Sequence, residues 1–291
     1  MNAVMKAREV AFITVAVVLV VAGITYGFSL VLRDRELSGI QRGLYGGVLA
    51  GDVAEVEQML QAHPDLLLTF RPQYGFPLHA AVTAVPRSFS MEMVEVLVES
   101  GDPNRRNGHG QTALMALAQN SHMRTPDESR QIAEMLLDRG GEINARDRIG
   151  FTALHWAVHA RDLRLVDLLI KNGAEIDAVE PGYGLTPLHL ACLTLDRDIA
   201  QRLINAGADA EAKDLSDRTP TDLITQDLQG TRWSWTRPPD EKRAKGEVFS
   251  FEFGIVTYRT NEKDPLKVAE RERELTKVMQ GAQKPACARR P

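Results

Sequence analysis

Leu78-His79, Leu154-His155 and Leu188-His189 put three histidines at the same point of a recurring phrase. Imidazole is a common metal ligand and carries protons near neutral pH, so the set has to be tested as chemistry first. A shared zinc needs every ligand within about 2.1 Å of one ion. Residues one repeat apart sit on successive helices about 10 Å from each other, so the spacing predicts neither a metal site nor a catalytic set. Cys192 and Cys287 are too few for a zinc site or a disulfide framework. Cys192 falls where a helix needs a small buried residue. The sequence contains no Gly-rich phosphate loop, nucleophile elbow or His-Glu-x-x-His pattern. The expectation is a chain with no catalytic residues, no cofactor and no metal.

The elements that carry these histidines are short. In Asp147-Arg148-Ile149-Gly150-Phe151-Thr152, Asp147 and Gly150 tolerate the dihedrals of a tight reversal. Thr152 can cap the helix that begins with Leu154, His155, Trp156, Ala157 and Val158. A second helix follows with apolar Leu165, Val166, Leu168, Leu169 and Ile170, and Gly173 supplies its left-handed stop. Helices under about 12 residues are marginal alone in water, so this unit needs neighbours.

The neighbours are in the sequence. The phrase recurs as Phe76-Pro77-Leu78-His79-Ala80-Ala81, as Thr112-Ala113-Leu114-Met115 and as Thr186-Pro187-Leu188-His189-Leu190-Ala191. Stop glycines recur at Gly101, Gly140, Gly173 and Gly207, spaced by 39, 33 and 34 residues. From about Leu37 to Leu228 the chain resembles the ankyrin repeat family, with its 33-residue unit and Thr-Pro-Leu-His-x-Ala pattern. The resemblance implies a structural job for the three histidines, bonding the backbone of the neighbouring turn. It also implies that the chain works by binding another protein.

The composition is ordinary, with 44% hydrophobic residues and a formal net charge of −4, and no sustained Lys/Arg patch supports a nucleic-acid partner. Residues 10–32 differ. This uncharged run of 23 residues is long enough to span a hydrocarbon layer of about 30 Å as a helix, which predicts a lipid bilayer contact. The rival is a cleaved signal, with Lys6 and Arg8 as the basic region and Val21-Ala22-Gly23 as the cleavage site. The apolar run continues nine residues past Gly23, which favours an uncleaved single-pass anchor. Basic residues nearly balance across the run, and the signal-anchor layout favours a bacterial inner membrane with the repeats in the periplasm.

Departures from the repeat pattern fall at its edges. Residues 37–67 form a degenerate first repeat whose polar side caps the stack. In the second, Phe76 replaces the capping threonine. Repeats two and three carry insertions, Pro86 to Ser90 and Asn120 to Arg124, on one edge of the stack. Such loops are often functional, yet loops also tolerate length cheaply, and both readings stay open. Thr125-Pro126-Asp127-Glu128 is a capping box that starts the next helix. In the last repeat Asp217 stands where the turn glycine belongs, Thr221-Asp222 replace Leu-His, and a second helix is missing. Beyond it, Val248 to Tyr258 has the two-residue period of a strand, and a charged helix begins near Pro265.

The fold expectation is an all-α solenoid of five to six helix-turn-helix repeats, with a transmembrane helix before it and an extension of mixed structure after it. The segments are a tail at 1–9, the membrane helix at 10–32, the repeats at 37–228 and the extension at 229–291. The resemblance places a concave binding face on Gln111, Gln119 and Asn120 of repeat three, on Arg148, Ile149, Phe151 and His159 of repeat four, and on Tyr183, Leu185, Leu193 and Thr194 of repeat five. Phe151 and Tyr183 follow equivalent turns and are expected to form one exposed aromatic patch. A scaffold that binds a protein at the membrane is the first function this implies. A dedicated inhibitor or immunity protein for a toxin or enzyme at the bacterial envelope is the alternative.

Overall fold

The computed structural model describes residues 38–64, 66–67, 76–84, 89–225 and 265–282. The expected membrane segment 10–32, the strand at Val248 to Tyr258 and the centre of the first insertion lie outside them. Every regular element among the described residues is helical. These are α1 (38–50), α2 (Val53–Ala62), α3 (Pro77–Thr83), α4 (Met91–Ser100), α5 (Ala113–Gln119), a 3-10 turn (Ser121–Met123) and α6 (Pro126–Asp138). They are followed by α7 (Ala153–His159), α8 (Leu163–Lys171), α9 (Pro187–Leu193), α10 (Arg197–Asn205), α11 (Pro220–Thr225) and α12 (Pro265–Ala282). No described helix is long and apolar enough to cross a membrane.

The odd-numbered helices α3, α5, α7, α9 and α11 stack in an inner row, and α2, α4, α6, α8 and α10 in an outer row behind them. The inner helices α3, α5, α7 and α9 are only seven residues long and almost wholly buried. Their free energy therefore comes from packing between rows rather than from intrinsic helix propensity. Leu114, Leu154 and Leu188 and the small Ala116, Ala157 and Ala191 form the continuous core that this stacking needs.

Caps set the boundaries. The side chains of Thr112, Thr152 and Thr186 accept backbone N–H groups of Met115, His155 and His189 and start the inner helices. Asp52, Ser90, Asp162 and Asp196 do the same for outer helices, and Thr125 with Glu128 forms the expected capping box. Phe76 offers no side-chain cap, and α3 starts there all the same, with Pro77 in its first turn. Gly173 has φ +85, and N–H groups of Gly173 and Ala174 bond to Ile170 and Leu169 carbonyls, the Schellman arrangement. Gly101 differs from the other stops, because it lies at φ −112.

One expectation about the edges is corrected. The second helix of the last repeat is not missing: α12, far along the chain, packs on α10 and α11 and fills the outer-row place beside α11. It does so through buried Leu275 and Met279, with Met279 Sδ 3.9 Å from Cys192 Sγ. The described residues of the insertions bond to the stack. Arg124 donates from Nε to the Val82 carbonyl at 3.1 Å and from a terminal nitrogen to the Ala81 carbonyl at 3.0 Å. Its guanidinium lies 3.9 Å over the Phe89 ring. A residue of the second insertion thus caps the carbonyl end of α3 and holds a residue of the first.

Candidate functional site

Among the described residues, repeats three to six each present a hairpin tip, and one acceptor side chain shapes each of these tips. Asn107 Oδ1 accepts the N–H groups of His109 at 2.9 Å and Gln111 at 3.0 Å. Asp147 Oδ1 accepts those of Ile149 at 3.1 Å and Phe151 at 2.9 Å, and Asp214 Oδ1 those of Ser216 and Arg218. In repeat five the tip is one residue longer, and glutamate replaces aspartate. Glu180 reaches the N–H groups of Gly182 and Tyr183, each at 2.6 Å. Burial raises the Asp147 and Glu180 carboxyls above their ordinary range, and the donated hydrogen bonds oppose the rise.

Neighbouring tips meet through the backbone. Arg148 N–H bonds to the His109 carbonyl at 3.1 Å, and Leu215 N–H to the Tyr183 carbonyl at 2.8 Å. Between repeats four and five the equivalent residue is Pro181, which has no N–H to give. Its ring packs instead against Gly150, φ +87, where a Cβ would lie 2.1 Å from Pro181 Cδ.

The histidines do the backbone work that the family resemblance implies. Nε2 of His79 lies 2.9 Å from the Gln111 carbonyl, that of His155 3.3 Å from Leu185 and that of His189 3.2 Å from Arg218. Each contact reaches the residue before the threonine of the next repeat. Burial lowers all three imidazoles, His155 to about 4, which keeps the rings neutral. Met115 takes the histidine's place in repeat three. Burial pushes the Cys192 thiol up, so this cysteine is a core residue and no nucleophile. No group of three or more His, Cys, Asp or Glu among the described residues could hold a metal ion.

The candidate binding residues divide into two sets. Arg148 is exposed, and Ile149, His159, Tyr183, Thr194, Gln119 and Asn120 are half-buried on the tips and on the ends of the inner helices. Phe151, Leu185, Leu193 and Gln111 are buried, which corrects the expected exposed patch. Phe151 is 1% exposed, with its ring centroid 5.0 Å from both His155 and Trp156. A large ring at this position gains more by folding back on Trp156 than by pointing outward. Gln111 donates to Gln119 Oε1 at 2.9 Å and so holds a neighbour that is half-exposed. His109 and Val179, both exposed, were not among the sequence candidates, while His122 and Met123, also exposed, lie in the second insertion. The places of His109 and Val179 in and beside a tip were the signal that could have found them.

The family model for ankyrin repeats (3 copies) matches residues 78–180 and 126–214. The chain is similar to the probable E3 ubiquitin-protein ligase XBOS32 of Oryza sativa, 32% identical over 229 residues, 67% of this chain and 44% of that protein. It is similar to protein phosphatase 1 regulatory subunit 27 of Mus musculus, 37% identical over 108 residues, 37% of this chain and 69% of the relative. It also resembles the B-cell lymphoma 3 protein homolog of Mus musculus, 34% identical over 143 residues, 47% of this chain and 29% of the relative. The chain thus spans under half the length of two of these three relatives. They are proteins of a plant and a mammal, which overturns the expected placement in a bacterial inner membrane with periplasmic repeats.

Proposed function

Because the chain belongs to the ankyrin repeat family, we propose that its non-catalytic role in protein–protein interaction is carried by the hairpin tips and inner-helix ends of repeats three to five. The observation that supports this is the run of half-exposed Ile149, His159, Tyr183 and Thr194 beside exposed Arg148 on one rigid, hydrogen-bonded edge. Apolar and aromatic side chains held on a backbone that is already ordered lose little entropy on binding. The family's concave face is built from the same tips and inner helices. In this reading Gln119 and Asn120 supply polar contacts, while buried Phe151, Leu185, Leu193 and Gln111 act from behind by fixing the tips.

One variant keeps the inhibitor alternative in general form. The mouse relative is named a regulatory subunit of a phosphatase, which favours an enzyme as the bound protein. It carries over no bacterial setting and no toxin. The test is site-directed photo-cross-linking of the full chain, with the reactive residue placed at Ile149 or His159 and, as a control, at Glu134 on the outer row. Adducts with one protein from the first two positions and none from Glu134 support the assignment. Adducts from Glu134 alone would move the site to the outer helices.

A further inference from the structure

Carboxylates are distributed unevenly between the two rows. Residues 103–126, the tip and inner helix of repeat three, contain no Asp or Glu. Residues 143–161 of repeat four contain one, Asp147, and residues 181–195 of repeat five contain none. Asp147 is buried and occupied by the N–H groups of Ile149, Phe151 and Trp156. Over three consecutive repeats the tip-and-inner-helix face therefore offers solvent no carboxylate from these segments.

The same segments are rich in arginine. Arg106, Arg148 and Arg161 are exposed, Arg105 is half-buried beside them, and the exposed imidazoles of His109 and His122 add polar groups. Arg161 is held by Asp196 at 2.9 Å, and Arg106 and Arg146 face Glu142 and Glu175, so those charges are partly answered. Beside repeats three to five the exposed acids lie instead on the outer row and its connections, with Glu92, Glu95 and Glu99 on α4, Asp127 and Asp138 on α6 and Asp198 on α10, while the last repeat carries exposed Asp217 on its tip and Asp222 on α11. A chain of formal net charge −4 thus keeps, over repeats three to five, an arginine-bearing strip whose tip carboxylates, Asp147 and Glu180, are buried. A strip of one sign steers oppositely charged partners and rejects like-charged ones.

We infer that the partner enters as an acidic peptide segment whose carboxylates meet Arg148 and His109 while an apolar side chain contacts Ile149 and Tyr183. This rests on the interaction face proposed above and adds the chemical class of what it binds. A nucleic acid is the less suitable occupant, because the strip is narrow and exposed acids of α4 and α6 lie behind it.

The test selects random short peptides displayed on phage against the full chain, with a short single-stranded DNA oligonucleotide as the counter-probe. Recovered peptides should be enriched in Asp and Glu over the starting library and bind more weakly as salt rises. The double variant Arg148→Glu/His109→Glu should weaken them by roughly tenfold or more, and the milder Arg148→Gln/His109→Gln by less. The outer-row change Glu95→Lys should leave them unaffected. A thermal melt of each variant separates loss of binding from loss of fold. Recovery of no acid-rich peptide, whatever else is recovered, overturns the charge inference. Peptides without acidic bias that Ile149→Asp still displaces would overturn it while leaving the interaction face standing. Peptides indifferent to every tip substitution would sink both. Binding of the oligonucleotide that the double Glu variant abolishes would also contradict the peptide assignment.

Discussion

The indole N–H of Trp156 donates to Asp147 Oδ2 at 2.9 Å, tying the inner helix of repeat four to its own hairpin tip. Asp147 Oδ1 is already taken by two backbone N–H groups, so Trp156 satisfies the remaining oxygen. Trp156→Phe should keep most of the packing yet leave that buried oxygen without its donor, at a cost of about 1 to 3 kcal/mol. Urea denaturation of the variant checks this. An unchanged midpoint would mean that water replaces the indole freely.

Arg124 gives a second expectation. Its guanidinium meets the carbonyl end of α3 and the face of Phe89 together, and burial lowers it to about 10, still charged at neutral pH. Arg124→Lys keeps the charge but loses the planar fork and the stacking. It should recover only part of the stability that Arg124→Ala loses, a loss of about 1 to 3 kcal/mol. Natural stability in Arg124→Lys would show that charge without geometry is enough.

The acid limb of stability should carry the mark of His155. Its folded value is about 4 against the ordinary 6.5, so the folded state holds the ring neutral while the unfolded state protonates it. A depressed folded value gives stability that is whole above about pH 6.5 and lost as pH falls towards 4, to a total of about 3 kcal/mol. Asp147 and Glu180, raised by burial, contribute with opposite sign, their share being lost as pH rises. The comparison that isolates His155 is therefore stability against pH for the natural chain and for His155→Gln. The slope between pH 6.5 and 4 should flatten in the variant, and parallel curves would contradict the assignment.

The end of the stack should depend on α12. Met279 is fully buried against the inner and outer rows, so Met279→Asp places a charge where no partner waits. Loss of about 3 kcal/mol or more is expected, with hydrogen exchange rising first in α10 and α11. Protection unchanged in those two helices would show that α12 is no part of the stack.

Much of this fold could be read because its causes are local. Thr152 caps four residues of chain, Gly173 stops one helix, and the Leu-His phrase repeats at a near-constant interval, so each could be recognised without knowing what lies across from it. Long-range contacts were beyond such reading. Met279 meets Cys192 from 87 residues away, and no pattern in either segment announces the other. Phe151 failed for a related reason. Its place after the turn suggests exposure, while the side chains that bury it, His155 and Trp156, are the same residues that make the inner helix recognisable. The insertions were legible as extra length, but the guanidinium of Arg124 on the carbonyls of α3 was not.

The central claim is that a protein partner binds the tips and inner-helix ends of repeats three to five, and the most direct measurement changes that face at Ile149 and Tyr183, which are half-buried against the edge of the core. Ile149→Asp/Tyr183→Asp in the full chain should lower thermal stability by about 1 kcal/mol per change yet leave the chain folded. Affinity for the cross-linked protein should drop by about 2 kcal/mol or more if these side chains are anchors. Full affinity in a folded double variant would contradict the account and place the binding surface elsewhere.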